Sequence, residues 1–257
     1  MKEVYFKIII PNYNNGEWLD KCLNSVISQK FKDYAIIVVD DCSTDNSVEV
    51  IKKYDVKLIQ AKEKAFNGGA RNIGIKDDTE SEYTLFIDSD DWLEDDDCLQ
   101  TIYDIIQENN NPDCVSLSYN CVIGDSKAYQ DMTRNTPKEL VDSLYVACWT
   151  KCIKSNLIQL FPENTLMEDV VQHIKQCDKI ETVVSCKKPI INWNRNNTNS
   201  CSRVENQNCQ KGKWQSSMYR YAADLMDLEC KHDYCEEHRK WRQEVVINNI
   251  REGKYIQ

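Results

Sequence analysis

No apolar run in this chain is long enough to cross a membrane. The stretch Val4 to Ile10 is interrupted by Lys7 and followed by Pro11, well short of the ~18 residues a span needs. The N-terminus also lacks the long apolar region and small-residue cleavage site of a signal peptide, so export is not expected. A positive surplus is missing as well: 32 Lys and Arg face 42 Asp and Glu, a formal charge of −10, which argues against nucleic acid as a partner. Glycine is scarce, at 7 residues, and neither a Walker phosphate loop nor G-x-G-x-x-G is present; simple NTPase and dinucleotide readings lose support. There is no internal repeat. Low complexity is confined to Asn109 to Asn111 before Pro112, a loop signal.

Cysteine, in contrast, is plentiful. Without an export signal its 13 residues read as reduced thiols of a cytoplasmic chain. The 257 residues, 41% of them hydrophobic, suffice for one large domain with an appendage. Short β-branched runs alternate with helical periodicity up to about residue 120, the pattern of a parallel α/β sheet. Strands are expected at Val4 to Ile10, Ala35 to Val39, Val56 to Ile59, Tyr83 to Ile87 and Asp113 to Ser118. Helices are expected through Trp18 to Ile27, Val48 to Ile51, Gly68 to Lys76 and Leu99 to Ile106. Residues 121 to 204 read as a mixed α/β continuation of the same domain. From 205 to 257, the spacing of Trp214, Met218, Tyr221, Leu225 and Leu228, then Trp241, Val245 and Ile250, predicts a helical extension. That extension holds nine bases and nine acids, so the whole acidic surplus lies before it. These helices read as packing, and they are also where a homo-oligomeric contact would form.

Four segments concentrate unusual residues: PNYNNGEWLDKCLNSV from Pro11, VVDDCSTDNS from Val38, NGGARNIG from Asn67 and LFIDSDDWLEDDD from Leu85. In the last, Asp88, Asp90 and Asp91 follow an apolar strand, where carboxylates repel one another unless they share a cation. Oxygen ligands of this kind suit Mg²⁺ or Mn²⁺; the plain alternative is an acidic helix start. Asp40 and Asp41 end the second strand and are ambiguous alone, because phosphate-accepting receiver domains also pair acids there. Three of the few glycines, Gly68, Gly69 and Gly74, surround Arg71, where backbone could approach a ligand and the guanidinium could pair with phosphate or stack on a base. In open α/β sheets the C-terminal ends of the strands, where these segments fall, are the ligand edge.

The ordered set P-x-Y-N, V-D-D-x-S-x-D, G-G-A-R-N-x-G and D-S-D-D resembles the family 2 glycosyltransferases of GT-A fold over roughly residues 5 to 203. The resemblance implies a nucleotide-binding half, residues 1 to 120, and an acceptor-side half, residues 121 to 204. It further implies a nucleotide-diphosphate-sugar donor, usually a UDP-sugar, a divalent metal, Mn²⁺ or Mg²⁺, and transfer with inversion to a hydroxyl of a glycan or glycan-like acceptor. Pro11, Tyr13 and Asn14 would lie in the first loop at the nucleotide, Asp41 at the uracil edge, and Arg71 over the base or near the diphosphate. Asp88 would approach the ribose, with Asp90 the preferred metal ligand and Asp91 its reserve. FPENTLMEDVVQHIK from Phe161 is similar to the family's P-E-x-x-x-x-E-D element, making Asp169, or else Glu168, the general base. WNRNNTNSCSR from Trp193 resembles a later element in which Arg195 and Ser200 reach the diphosphate; Asn197 departs from the His or base common there.

Other candidates are weaker. Cys230, His232, Cys235 and His238 match no standard zinc spacing. Cys148 and Cys152 read as core thiols, and His173 as a surface residue one turn past Asp169. Two rival readings remain: a non-catalytic nucleotide-sugar-binding module of the same fold, and an acidic Mg²⁺-binding signalling domain, for which the chain is long.

Overall fold

The computed structural model describes residues 3–142, 147–163, 168–198, 200 and 229–252. The β-branched runs become β1 (Val4–Asn12), β2 (Tyr34–Asp40), β3 (Lys57–Gln60) and β4 (Ser81–Phe86), paired in parallel in the order β3-β2-β1-β4. Between and after them come helices α1 (Gly16–Ile27), α2 (Ser47–Ile51), α3 (Phe66–Ile75) and α4 (Cys98–Glu108). Helices cover both faces of this sheet, so its central strands are mostly apolar on both sides rather than alternating, with Lys7 the buried exception whose ammonium donates to the Asp77 carbonyl at 2.9 Å. On one face Phe6, Ile8, Ile10 and Val38 pack with Leu19, Leu23 and Val26 of α1 and Leu99, Ile102 and Ile106 of α4. On the other, Ile37 and Val39 meet Ala70 of α3. Helix α3 lies so close that a Cβ on Gly74 would come within 2.5 Å of Ile9 Cγ2; this position requires glycine for close packing.

The first strand does not stop at Pro11, as its sequence suggests, but continues to Asn12. Pairing of β1 with β4 ends at Ile9, while pairing with β2 continues through Pro11 and Asn12. The N–H that proline lacks therefore removes no ladder bond.

Past β4 the sheet becomes mixed. It adds β5 (Trp92–Leu93), β6 (Cys114–Ile123), β7 (Ser126–Gln130), β8 (Lys151–Lys154) and β9 (Val183–Asn194). Strand β8 runs antiparallel between β4 and β6, β9 lies parallel to β6, and β5 and β7 pair antiparallel with β9 and β6. The asparagine run after α4 forms the expected loop: Asn110 and Asn111 take φ values of 57° and 53°, a conformation asparagine tolerates better than most residues.

A second core joins α5 (Pro137–Val141), α6 (Glu168–Cys177) and a C-terminal helix, here α7 (Asp233–Glu252). Leu140, Val141, Val170, Val171, Ile174 and Cys177 enclose Cys235, and Asp178 Oδ1 accepts the Lys231 and His232 N–H groups at 2.7 and 2.9 Å. This docking corrects the surface reading of His173. The residue is fully buried, because α5 and α7 cover the face of α6 next to its apolar stripe, and burial pushes its pKa well below the usual histidine range. His238 lies 6.5 Å from it, ring to ring. Cys148 and Cys152 are core thiols as expected. The expected helix through Trp214 to Leu228 lies outside the described residues. Among the described residues no helix is long and apolar enough to cross a membrane.

Candidate active site

The loops leaving β1, β2 and β4 converge at one sheet edge, and much of their polar sequence binds the loops to one another. Asn12 Nδ2 donates to Asp40 Oδ1 at 3.0 Å and to Ser43 Oγ at 3.2 Å. Asp40 Oδ2 accepts the Ser43 N–H at 3.1 Å. Asn14, in the left-handed region at φ 51°, accepts the Thr44 N–H at 2.7 Å and donates its own N–H to Ser43 Oγ at 3.0 Å. Asp45 accepts from the Gly16 N–H at 2.9 Å and the Ser47 N–H at 3.0 Å, tying the starts of α1 and α2 together. Pro11 is buried beneath this loop as a strand residue. Most of V-D-D-x-S-x-D is thus scaffold.

Asp41 is the exception. It is buried, with Oδ1 accepting the Ala65 N–H at 2.6 Å and Oδ2 paired with Lys64 at 2.9 Å. The same Lys64 ammonium lies 2.7 Å from the centroid of the exposed Tyr13 ring. Tyr13, Asp41 and Lys64 therefore form one corner that offers an aromatic face, a carboxylate and a cation. Nothing in the sequence singled out Lys64.

The second corner is the acidic loop after β4. Asp88 is about one-third exposed at 30%. Asp90 Oδ2 accepts from Asn197 Nδ2 at 2.7 Å, and that amide also donates to Asn15 Oδ1 at 3.1 Å. Asp91 is buried; its Oδ1 accepts the Asn194 N–H at 2.8 Å, while its Oδ2 has no hydrogen-bond partner among the described residues. Burial, and then Asp88, push the Asp90 carboxyl up to about 6. Burial with Asp90 and Asp88 pushes Asp91 well above the carboxylate range. An orphaned carboxylate oxygen in a pair of acids that resist ionising, Asp90 and Asp91, is a donor set a hard divalent cation would relieve. Among the described residues, however, no three such side chains already form a closed ligand group. Arg195 stacks 4.5 Å over Trp193, and Ser200 follows, with its N–H on the Asn197 carbonyl at 3.4 Å.

Arg71 links this edge to the start of α6. Only 2% exposed, it directs Nη2 to Asp88 Oδ1 at 2.8 Å, and Nη1 to Glu168 Oε1 at 3.1 Å and Asp169 Oδ1 at 3.4 Å. The guanidinium is thus committed to three carboxylates. Burial, with Asp169 adding to it and Arg71 opposing, pushes Glu168 up to about 7. Asp169 is raised by burial, also against Arg71. Asp169 is the more accessible of the two, at 27% against 13%. The face of α3 that carries Arg71 also carries Gly68 and Asn72. A Cβ on Gly68 would meet the Pro162 carbonyl oxygen at 2.9 Å and Glu168 Cγ at 3.0 Å.

A family model described as glycosyl transferase family 2 matches residues 7–169. Glycosyltransferase GlyA of Streptococcus pneumoniae is 31% identical over 173 residues, which make up 59% of this chain and 25% of GlyA. The poly(ribitol-phosphate) β-N-acetylglucosaminyltransferase TarS of Staphylococcus aureus is 37% identical over 95 residues, 34% of this chain and 16% of TarS. The chain thus spans a quarter or less of the length of these two relatives. A TarS structure in complex with UDP-GlcNAc superposes with a TM-score of 0.74 at 23% identity, covering 95% of this chain and 72% of that one. The mannosyltransferase PcManGT of Pyrobaculum calidifontis, in complex with GDP-Man and Mn²⁺, gives 0.64 at 12% identity, with 97% and 74% covered. These likenesses agree with the mixed sheet and flanking helices described above as a GT-A fold. With the family match extending over more than half of its 257 residues, from the first strand to the acid pair, the chain belongs to glycosyl transferase family 2.

Proposed function

We propose that the protein is an inverting glycosyltransferase that moves a sugar from a UDP-sugar, of the hexose or N-acetylhexosamine class, to a hydroxyl of a glycan or polyol-phosphate acceptor. The observation that carries this reading is the Arg71 bridge. One guanidinium touches both Asp88 of the donor edge and the Glu168–Asp169 pair, so a donor's anomeric carbon and a proton acceptor for the incoming hydroxyl would meet at one place. The name of TarS, and the UDP-GlcNAc in the TarS complex, support the donor and acceptor classes, and the name of GlyA supports glycosyl transfer.

Tyr13 would stack on the base and Asp41 would accept its imide N–H. Asp88 would approach the ribose, and Arg195 and Ser200 the diphosphate. Asp90 would hold a divalent cation with Asp88 or Asp91; when bound, it neutralises the charge that builds on the departing diphosphate. Asp169 takes the proton from the acceptor hydroxyl as its oxygen bonds to the anomeric carbon on the face opposite the leaving UDP. Glu168, raised to about 7, is still substantially protonated at neutral pH, leaving the more exposed Asp169 as the base.

The test is a thermal-shift titration with UDP and Mn²⁺. At ~100 times the dissociation constant, a ligand stabilises by roughly 2.7 kcal/mol, an upward shift of about 5–10 °C for a chain of this size. Asp90→Asn should largely remove it. An equal response in excess EDTA would refute the metal part of the reading, and no response to UDP under any condition would refute the donor.

A further inference from the structure

We infer that Asn72 is a positioning residue for the acid pair, and so for the base that takes the acceptor's proton; the inference rests on the glycosyltransferase reading above. The carboxamide of Asn72 is 2% exposed and meets the main chain of Phe161 from both sides. Its Oδ1 accepts the Phe161 N–H at 2.9 Å and its Nδ2 donates to the Phe161 carbonyl at 2.9 Å. Nδ2 also reaches Glu163 Oε1 at 3.2 Å. A side-chain amide, its oxygen accepting and its NH₂ donating, is here used like the edge of a strand. It holds the backbone of Phe161, whose ring lies 5.3 Å from the Arg71 guanidinium and whose Cβ, together with Glu168 Cγ, crowds the bare Cα of Gly68. Phe161 itself is buried, edge-on to Phe86 of β4 with ring centroids 5.6 Å apart.

Two neighbours on the same face of α3 act on the acid pair directly. Gly68 leaves room for Glu168 Cγ and the Pro162 carbonyl, and Arg71 pairs with Glu168 and Asp169. Positions 68, 71 and 72 lie on one helical face. In this chain that face touches the acceptor-side segment at Phe161, Pro162, Glu163, Glu168 and Asp169. The G-G-A-R-N segment is therefore a seat for the base more than a surface for the nucleotide. Without the clamp, the acid pair would keep Arg71 as its charge partner but lose the packing that fixes its orientation on that guanidinium, and displacement on the order of 1 Å can cost about 100-fold in rate.

The experiment uses the full chain carrying Asn72→Ala, Asn72→Asp and Gly68→Ala. Asn72→Asp keeps the acceptor for the Phe161 N–H and removes the donor to its carbonyl. Gly68→Ala keeps the Asn72 carboxamide and crowds Pro162, Glu168 and Phe161 from the same helix face, a second route to displacing the acid pair. Each variant is checked for UDP affinity with Mn²⁺ by calorimetry, for hydrogen exchange at the Phe161 amide, and for UDP release from a UDP-sugar with and without acceptor across pH. The expected result is UDP affinity within about twofold of wild type and faster exchange at Phe161 in the Asn72 variants. It also includes a kcat reduced about 10- to 100-fold in all three, with the donor KM unchanged and the acidic limb of the kcat–pH profile displaced. Unchanged exchange at Phe161 in Asn72→Ala would overturn the clamp. Faster exchange with unchanged kcat and pH profile would overturn its bearing on the base. A parallel loss of UDP affinity would make Asn72 a donor-site residue and overturn the inference. A wild-type chain that neither binds UDP nor releases it from a UDP-sugar would refute the glycosyltransferase reading itself, a result distinct from all of these.

Discussion

Replacing Arg71 by Met should be among the most destabilising single changes in this chain, and the cost should depend on pH. The substitution keeps an apolar stem of similar length and removes a buried cation that touches Asp88, Glu168 and Asp169. Breaking a buried ion pair from one side costs about 3–5 kcal/mol, because the remaining charge is left uncompensated. For a chain of this size that corresponds to a fall in Tm of about 6–20 °C. The sign of the pH effect follows from the acids. Glu168 already stands at about 7 in the fold against an ordinary 4.5, so its contribution is fully present below about 4.5 and is lost as pH rises through about 7. Removing Arg71 raises Glu168 further, together with Asp169. The variant can recover by binding protons, so its deficit should be largest near pH 8 and shrink toward pH 5. Urea unfolding followed by tryptophan fluorescence at both pH values measures this directly. Arg71→Lys, which keeps the charge but cannot direct two nitrogens to two sides, should fall between. A loss below about 1 kcal/mol near pH 8, the value of an exposed pair, or a loss identical at both pH values, would refute the account of Arg71 as the charge that stabilises this cluster.

Asp169→Asn should leave UDP affinity in calorimetry nearly unchanged and lower transfer about 10²- to 10⁴-fold; near wild-type transfer in this variant with loss in Glu168→Gln would move the base to Glu168. Asp41→Ala should weaken UDP and leave residual ADP binding nearly unchanged, since only the cognate base loses a bond to the buried carboxylate; equal losses in a competition assay would assign Asp41 to holding Lys64 and Ala65. Gly74→Ala should cost about 1–3 kcal/mol in chemical denaturation, because its new methyl would come within 2.5 Å of Ile9 Cγ2, and it should not change UDP affinity once folded.

The parallel half of the sheet could be read from the sequence alone, because strands buried on both faces are mostly apolar runs. The runs around Ile8, Ile37 and Leu85 carry that signature. Three of the four motif segments begin at or near strand ends, where the fold places its loops, while the G-G-A-R-N segment lies in α3. What each motif residue does was decided by tertiary contacts. Asp40 and Asp41 are adjacent and chemically identical, yet one closes a loop with Asn12 and Ser43 and the other pairs with Lys64 from a distant segment. His173 sits on an acidic, amphipathic helix with no mark of burial; only the docking of α5 and α7 encloses it. Arg71 was expected near a nucleotide because arginine next to glycine is compatible with phosphate. Its three carboxylate partners come from positions 88, 168 and 169, and no local pattern records which of many acids will share one cation. Periodicity and composition act within a turn of helix or a strand and so determine the elements. Charge pairing between segments about a hundred residues apart in the chain exists only once the sheet has brought α3 and α6 together, so the site belongs to the tertiary structure.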